Sequence, residues 1–182
     1  MRKSWFVSAV LLILVMLLTS VVSAQDAPRV IPTNDNFVNA KPIKIGKNYS
    51  VPDIEGATVE AGQPAVTPCG AATIIYHSVW FSFYLSESSF VNFSTEGTFF
   101  SSGTYEMPDT VIAVFTGPSL GLLTQVACVD DLDNLLSELT LYVGPGTTYF
   151  VMVGSYSSQP LDASSTLKLN TRMKNTPVTA SS

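Results

Sequence analysis

The sequence predicts an all-β protein: an antiparallel β-sandwich of jelly-roll type with about eight strands, preceded by a short signal-peptide helix. Three observations predict it. Apolar residues alternate with period two, with Val79, Phe81, Phe83 and Leu85 on one side and Ser78, Trp80, Ser82 and Tyr84 on the other. Turn chemistry recurs at short intervals, in Gly117-Pro118-Ser119, Gly144-Pro145-Gly146, Ser101-Ser102-Gly103 and Ser157-Ser158-Gln159-Pro160. After the leader no segment keeps a long 3.6-residue period, so short strands must bury their apolar faces as two packed sheets.

The leader comes first. Arg2 and Lys3 precede an apolar run from Trp5 to Leu18, broken only by Ser8, and Val22-Ser23-Ala24 supplies small residues in the pattern of an export cleavage site. The expected division is 1–24 as signal peptide, 25–170 as one sandwich domain, and 171–182 as a loose polar tail. A retained membrane anchor is the alternative, because the apolar run nearly reaches the roughly 20 residues of a spanning helix. After cleavage no second segment has spanning length, so no membrane insertion is expected.

In chain order, Asn34–Ala40 reads as one helical turn with Asn34 as its cap. Strands follow at Ile43–Tyr49, Val79–Leu85 and Phe90–Ser94. Val111 to Phe115 is apolar throughout, as expected of a strand covered on both faces. The remaining strands are Leu122–Cys128, Leu139–Val143, Tyr149–Val153 and Leu167–Leu169.

The formal charge is −5 and becomes more negative once Arg2 and Lys3 leave. No basic stripe exists to neutralise phosphates, so nucleic acid is not an expected partner, and a cationic group or a metal ion fits better. Cys69 and Cys128 are the two cysteines, and export would place them where pairing is the default. Two buried thiols are the alternative.

Read in order, several motifs resemble one family. They are Asn34-Asp35-Asn36-Phe37 with Asn39-Ala40, Gly56-Ala57-Thr58-Val59-Glu60, Ser78-Val79-Trp80-Phe81-Ser82-Phe83 and Asp109-Thr110-Val111. Val114-Phe115-Thr116-Gly117, Val126-Ala127-Cys128 with Asp130-Asp131, Gly146-Thr147-Thr148-Tyr149 and Val153-Gly154-Ser155-Tyr156 complete the series. Together they resemble the bacterial pre-peptidase C-terminal domain. The resemblance implies a jelly-roll sandwich appended to secreted peptidases or surface proteins, binding substrate or surface polymers, with calcium in some members. Val129 stands where relatives often carry Asn before the acidic pair, and Pro108 where they often carry an aromatic. No peptidase segment accompanies the motifs in this sequence.

Three sets of candidate residues stand out. Asp130, Asp131, Asp133 and Asn134 are oxygen-rich and adjacent, and Asp109 and Asp35 would join them if loops converge, which is the donor chemistry calcium takes. The plainer reading is a solvated acidic turn, with Asp109 capping a turn. Trp80, Tyr84 and Tyr142, with Tyr105 and Tyr156, form a candidate aromatic ligand face, or else fill the core. His77 beside Ser78, with a distant Asp109, evokes a hydrolase triad, but no G-x-S-x-G elbow is present. Asn48-Tyr49-Ser50 and Asn92-Phe93-Ser94 match the N-glycosylation pattern.

The expectation is therefore a secreted, non-catalytic binding module for an extracellular polymer, glycan or protein, with calcium as its one candidate cofactor. A structural subunit self-associating through sheet edges is the second reading, and a small hydrolase a remote third. The ligand and the oligomeric state are not encoded legibly.

Overall fold

The computed structural model describes residues 28–102, 108–131 and 135–174. The leader 1–24, Tyr105, Asp133 and Asn134 lie outside them. Among the described residues there is no α-helix, only three 3₁₀ turns, and no helix is long and apolar enough to cross a membrane.

Among the described residues nine strands form two sheets. They are β1 (Lys41–Pro42), β2 (Asn48–Pro52), β3 (Tyr76–Tyr84), β4 (Ser89–Ser94), β5 (Thr110–Thr116), β6 (Thr124–Asp130), β7 (Glu138–Val143), β8 (Thr148–Ser155) and β9 (Thr166–Lys174). One sheet runs β1-β3-β8-β5-β6 and the other β2-β9-β4-β7. From β2 onward every connection crosses between sheets except the β5–β6 hairpin. That is the jelly-roll topology the strand pattern predicts. The two-residue β1 adds a ninth strand, parallel to β3, at the sheet edge.

The strand pairs are antiparallel apart from β1–β3. Between the sheets lies one apolar layer, with Val79, Phe81, Phe83, Val91, Phe93, Ile112, Val114, Val153, Leu167 and Leu169 all buried. β9 continues through Lys174, so the first four residues of the segment read as a polar tail are strand.

A second apolar cluster lies on the outer side of the five-stranded sheet. It contains Trp80, Val111, Ala113, Phe115 and Met152, covered by Val66, Cys69, Ala72 and Ile75 from the long β2–β3 connection. β5 is thus covered on both faces, as its unbroken apolar run predicts. The helical turn is shorter than expected, at Phe37–Asn39. Asn34 does not cap it. Its Nδ2 donates to Trp80 O, and Trp80 N donates to Asn34 O, both at 2.8 Å, extending the sheet. Asn92 is fully buried with Nδ2 donating to Glu138 Oε1 and Thr140 Oγ1, so the folded chain does not present that glycosylation pattern.

Candidate functional site

The β5–β6 register builds the acidic site. Val111 pairs with Asp130. Asp109 therefore sits just before β5, opposite the chain leaving β6 at Asp131. β8 lies on the other side, where Tyr156 N donates to Asp109 O at 3.0 Å. Carboxylate oxygens of Asp109, Asp130 and Asp131 all fall within 4.8 Å of one another. Three of the five candidate carboxylate ligands thus meet. Asp133 lies outside the described residues, and Asp35 is elsewhere. Asp35 is buried, with Oδ1 accepting from Thr58 N at 2.6 Å and Oδ2 from Thr58 Oγ1 at 2.9 Å. Its carboxylate shapes a turn of the β2–β3 connection.

The disulfide loop clamps this site from outside. Cys69 and Cys128 are bonded, with Cα atoms 5.2 Å apart. Cys128 lies on β6 two residues before Asp130, and Asp130 Oδ2 accepts from Ala71 N at 3.2 Å and Ala72 N at 3.0 Å. Gly70 has φ +54°, and a Cβ there would come within 3.0 Å of the Asp130 side chain. Only glycine meets both requirements cheaply.

A buried hydroxyl network holds the other side. Thr95 Oγ1 and Thr110 Oγ1 lie 2.7 Å apart and each accepts from Ser137 N, while Ser137 Oγ donates to Thr110 O. Two residues at this end of the sandwich have left-handed backbone, Asp131 with φ 57° and Leu135 with φ 67°. A leucine in that region carries strain, which structures retain where surrounding contacts over-determine it.

The electrostatics follow from three like charges in a partly buried place. Burial, then Asp131, then Asp130, push the Asp109 carboxyl from an ordinary 3.8 up to about 6. Asp130 is raised by burial and by Asp131, against the lowering effect of the Ala72 and Ala71 N–H groups. Asp109 Oδ1 and Asp130 Oδ1 are buried and accept no hydrogen bond. The one ion pair among the described residues joins Lys174 to Glu138, so no side-chain cation neutralises the trio.

Two clefts flank the trio and share Ser157. One, of about 310 Å³, is lined by Ala71, Ile74, Tyr76 and Tyr156; the other, of about 210 Å³, by Asp109, Leu135, Gln159 and Leu161. Tyr156 is legible in the sequence as a candidate aromatic, but Ile74 and Tyr76 are not, because they lie in an irregular stretch and at the start of a strand, where periodicity gives no signal.

The predicted aromatic face is not one surface. Trp80 is fully buried, its ring 5.3 Å from that of Phe37 and 5.8 Å from that of Phe115. Tyr84 and Tyr142 are exposed but lie on different sheets, and Tyr142 packs on Phe90 at 5.1 Å. The triad does not assemble either. His77 Nε2 contacts Gln159 O, while Ser78 Oγ is buried and bonds to Thr58 O and Gln63 Oε1.

No family model and no curated protein sequence matches this chain. Among solved structures it is similar to the 1.0 Å crystal structure of the pre-peptidase C-terminal domain of collagenase from Bacillus anthracis. The identity is 12% and the TM-score 0.43, over 73% of this chain and 94% of that one. This is the family the sequence motifs resemble.

Proposed function

We propose that this chain is a non-catalytic extracellular binding module whose recognition loops are braced by a calcium ion between Asp109, Asp130 and Asp131. The observation that carries the reading is the pair of buried, unpartnered oxygens, Asp109 Oδ1 and Asp130 Oδ1, in a trio that no side-chain cation of the described residues neutralises. Such atoms are costly to leave unmatched.

The donor set fits the ion. Calcium takes oxygens at about 2.3–2.6 Å, so two oxygens on one ion lie at most about 5 Å apart. The trio's separations meet that limit. Asp130 Oδ2 is engaged by Ala71 and Ala72, which leaves Oδ1 as its ligand atom. Bound calcium would cancel the mutual repulsion and tie the β6 exit to the β5 entry and, through Asp130, to the disulfide loop. The flanking clefts, edged by Ile74, Tyr76 and Tyr156, would then be held in one shape for a polymer, glycan or protein ligand.

The export leader and the disulfide support an extracellular setting. The bonding of His77 and Ser78 supports a binding role over hydrolysis. A pull-down on cell-wall material, chitin, cellulose and collagen, run in calcium and in EDTA, tests the reading. Retention in calcium that is lost in EDTA is the expected result; no retention on any matrix in either condition would defeat it.

A further inference from the structure

Away from the acidic trio, a second carboxylate stands without a partner. Glu55 lies in the 3₁₀ turn Ile54–Gly56 and is only 6% exposed. Its Oε2 is buried with no hydrogen bond, and among the described residues its carboxylate forms no ion pair. Leaving a buried ionisable oxygen without a partner is costly, and native structures rarely do it.

The surroundings form a built cleft of about 330 Å³. Asp53, Glu55 and Asp162 supply carboxylates, Val30 and Leu161 supply apolar wall, and Arg29 lies at its border. The walls are fixed by close backbone packing: a Cβ at Gly56 would fall 2.0 Å from Val30 O. Asp53 is held at φ 56°, and Asp162 Oδ2 accepts from Ser101 Oγ at 2.9 Å. Arg29 does not neutralise Glu55. Its Nη1 reaches the Glu55 backbone carbonyl at 3.4 Å, and among the described residues it forms no ion pair within 4.0 Å. Asp53 and Glu55 against the one guanidinium of Arg29 leave this part of the cleft net negative among the described residues.

The geometry points to a binding site for an organic cation here: an alkylammonium or guanidinium head on an apolar stem, as a lysine or arginine side chain presents. A bare metal ion fits poorly. Among the described residues only the Asp109 trio gathers ligand oxygens within 4.8 Å, and Asp53, Glu55 and Asp162 do not. A cationic head can hydrogen-bond several separated carboxylates at once. Its stem would lie along Val30 and Leu161, removing apolar surface from water.

The test is calorimetric titration of the purified protein with n-butylammonium and with acetylated tri-lysine amide. Saturable binding is expected, weakened at least tenfold in Glu55→Gln, several-fold in Asp53→Asn, and unchanged within twofold in Asp131→Asn. Tighter binding of tri-lysine than of the free amine would assign the site to a polypeptide partner, and equal affinity to a small amine. No saturable binding by the wild-type protein, or binding equally strong in Glu55→Gln, would overturn the proposal. The calcium response of Glu55→Gln should match wild type, which separates this site from the trio and reports that the variant is folded.

Discussion

Asp130 Oδ2 accepts the backbone N–H of Ala72 at 3.0 Å, so one carboxylate of the acidic trio also holds down the disulfide loop. Its two oxygens have separate tasks: Oδ2 faces the loop, and Oδ1 is buried without a partner. Asp130→Asn keeps an oxygen acceptor and sheds repulsion from Asp131. In EDTA its melting temperature should match or exceed wild type. Asp130→Ala strips the acceptor and should cost about 1–3 kcal/mol. Thermal melts of both variants check this, and equal losses would show that the loop contact is unimportant.

The raised Asp109 pKa gives a pH dependence of definite sign. Its folded value of about 6 lies above the ordinary 3.8, so the folded state binds the proton more tightly. The resulting stability is fully present below pH 3.8 and is lost as pH rises through about 6. The raised Asp130 acts in the same direction. Metal-free protein should therefore melt lower at pH 7 than these groups would allow at pH 5, and Asp109→Asn should flatten that difference. Identical pH profiles for the two proteins would refute it. Calcium needs the ionised form, so its affinity should fall as pH drops through 6.

The Cys69–Cys128 bond closes a separation of 59 residues. Replacing both by Ser frees the unfolded chain and should cost roughly 4 kcal/mol, an upper estimate. For a domain of this size that is a melting-temperature drop on the order of 10 °C. It should also weaken the calcium response, because the Ala71–Ala72 contact to Asp130 loses its anchor. A double variant with an unchanged melt and calcium response would contradict this role.

Trp80 belongs to the packing rather than to a ligand face. Trp80→Ala should destabilise by about 3–5 kcal/mol. Trp80→Phe should cost less and leave polymer retention intact. Loss of retention in a folded Trp80→Phe protein would restore the face that the sequence suggested.

The contrast between Trp80 and the acidic trio shows where the sequence is legible. Val79, Phe81 and Phe83 announce a buried face by alternation, and strand ends announce where Asp109 and Asp130 will lie. Trp80 shares its strand face with Ser78 and Ser82, so local pattern assigns it to solvent. What buries it is the β2–β3 connection, which brings Val66, Cys69 and Ile75 over the sheet without any period of its own. The same connection uses Asp35 for a turn and buries Glu55, neither of which has a local signature. Tyr84 and Tyr142 look equivalent in sequence because alternation does not say which sheet a strand joins.

The calcium brace is tested most directly by the melting temperature of the purified protein in EDTA and in millimolar calcium at pH 7. The melting temperature should rise in calcium. At 100-fold over the dissociation constant the rise corresponds to about 2.7 kcal/mol, or several degrees. The rise should be abolished in Asp109→Asn. Equal melting temperatures in EDTA and calcium would contradict the calcium brace at Asp109, Asp130 and Asp131.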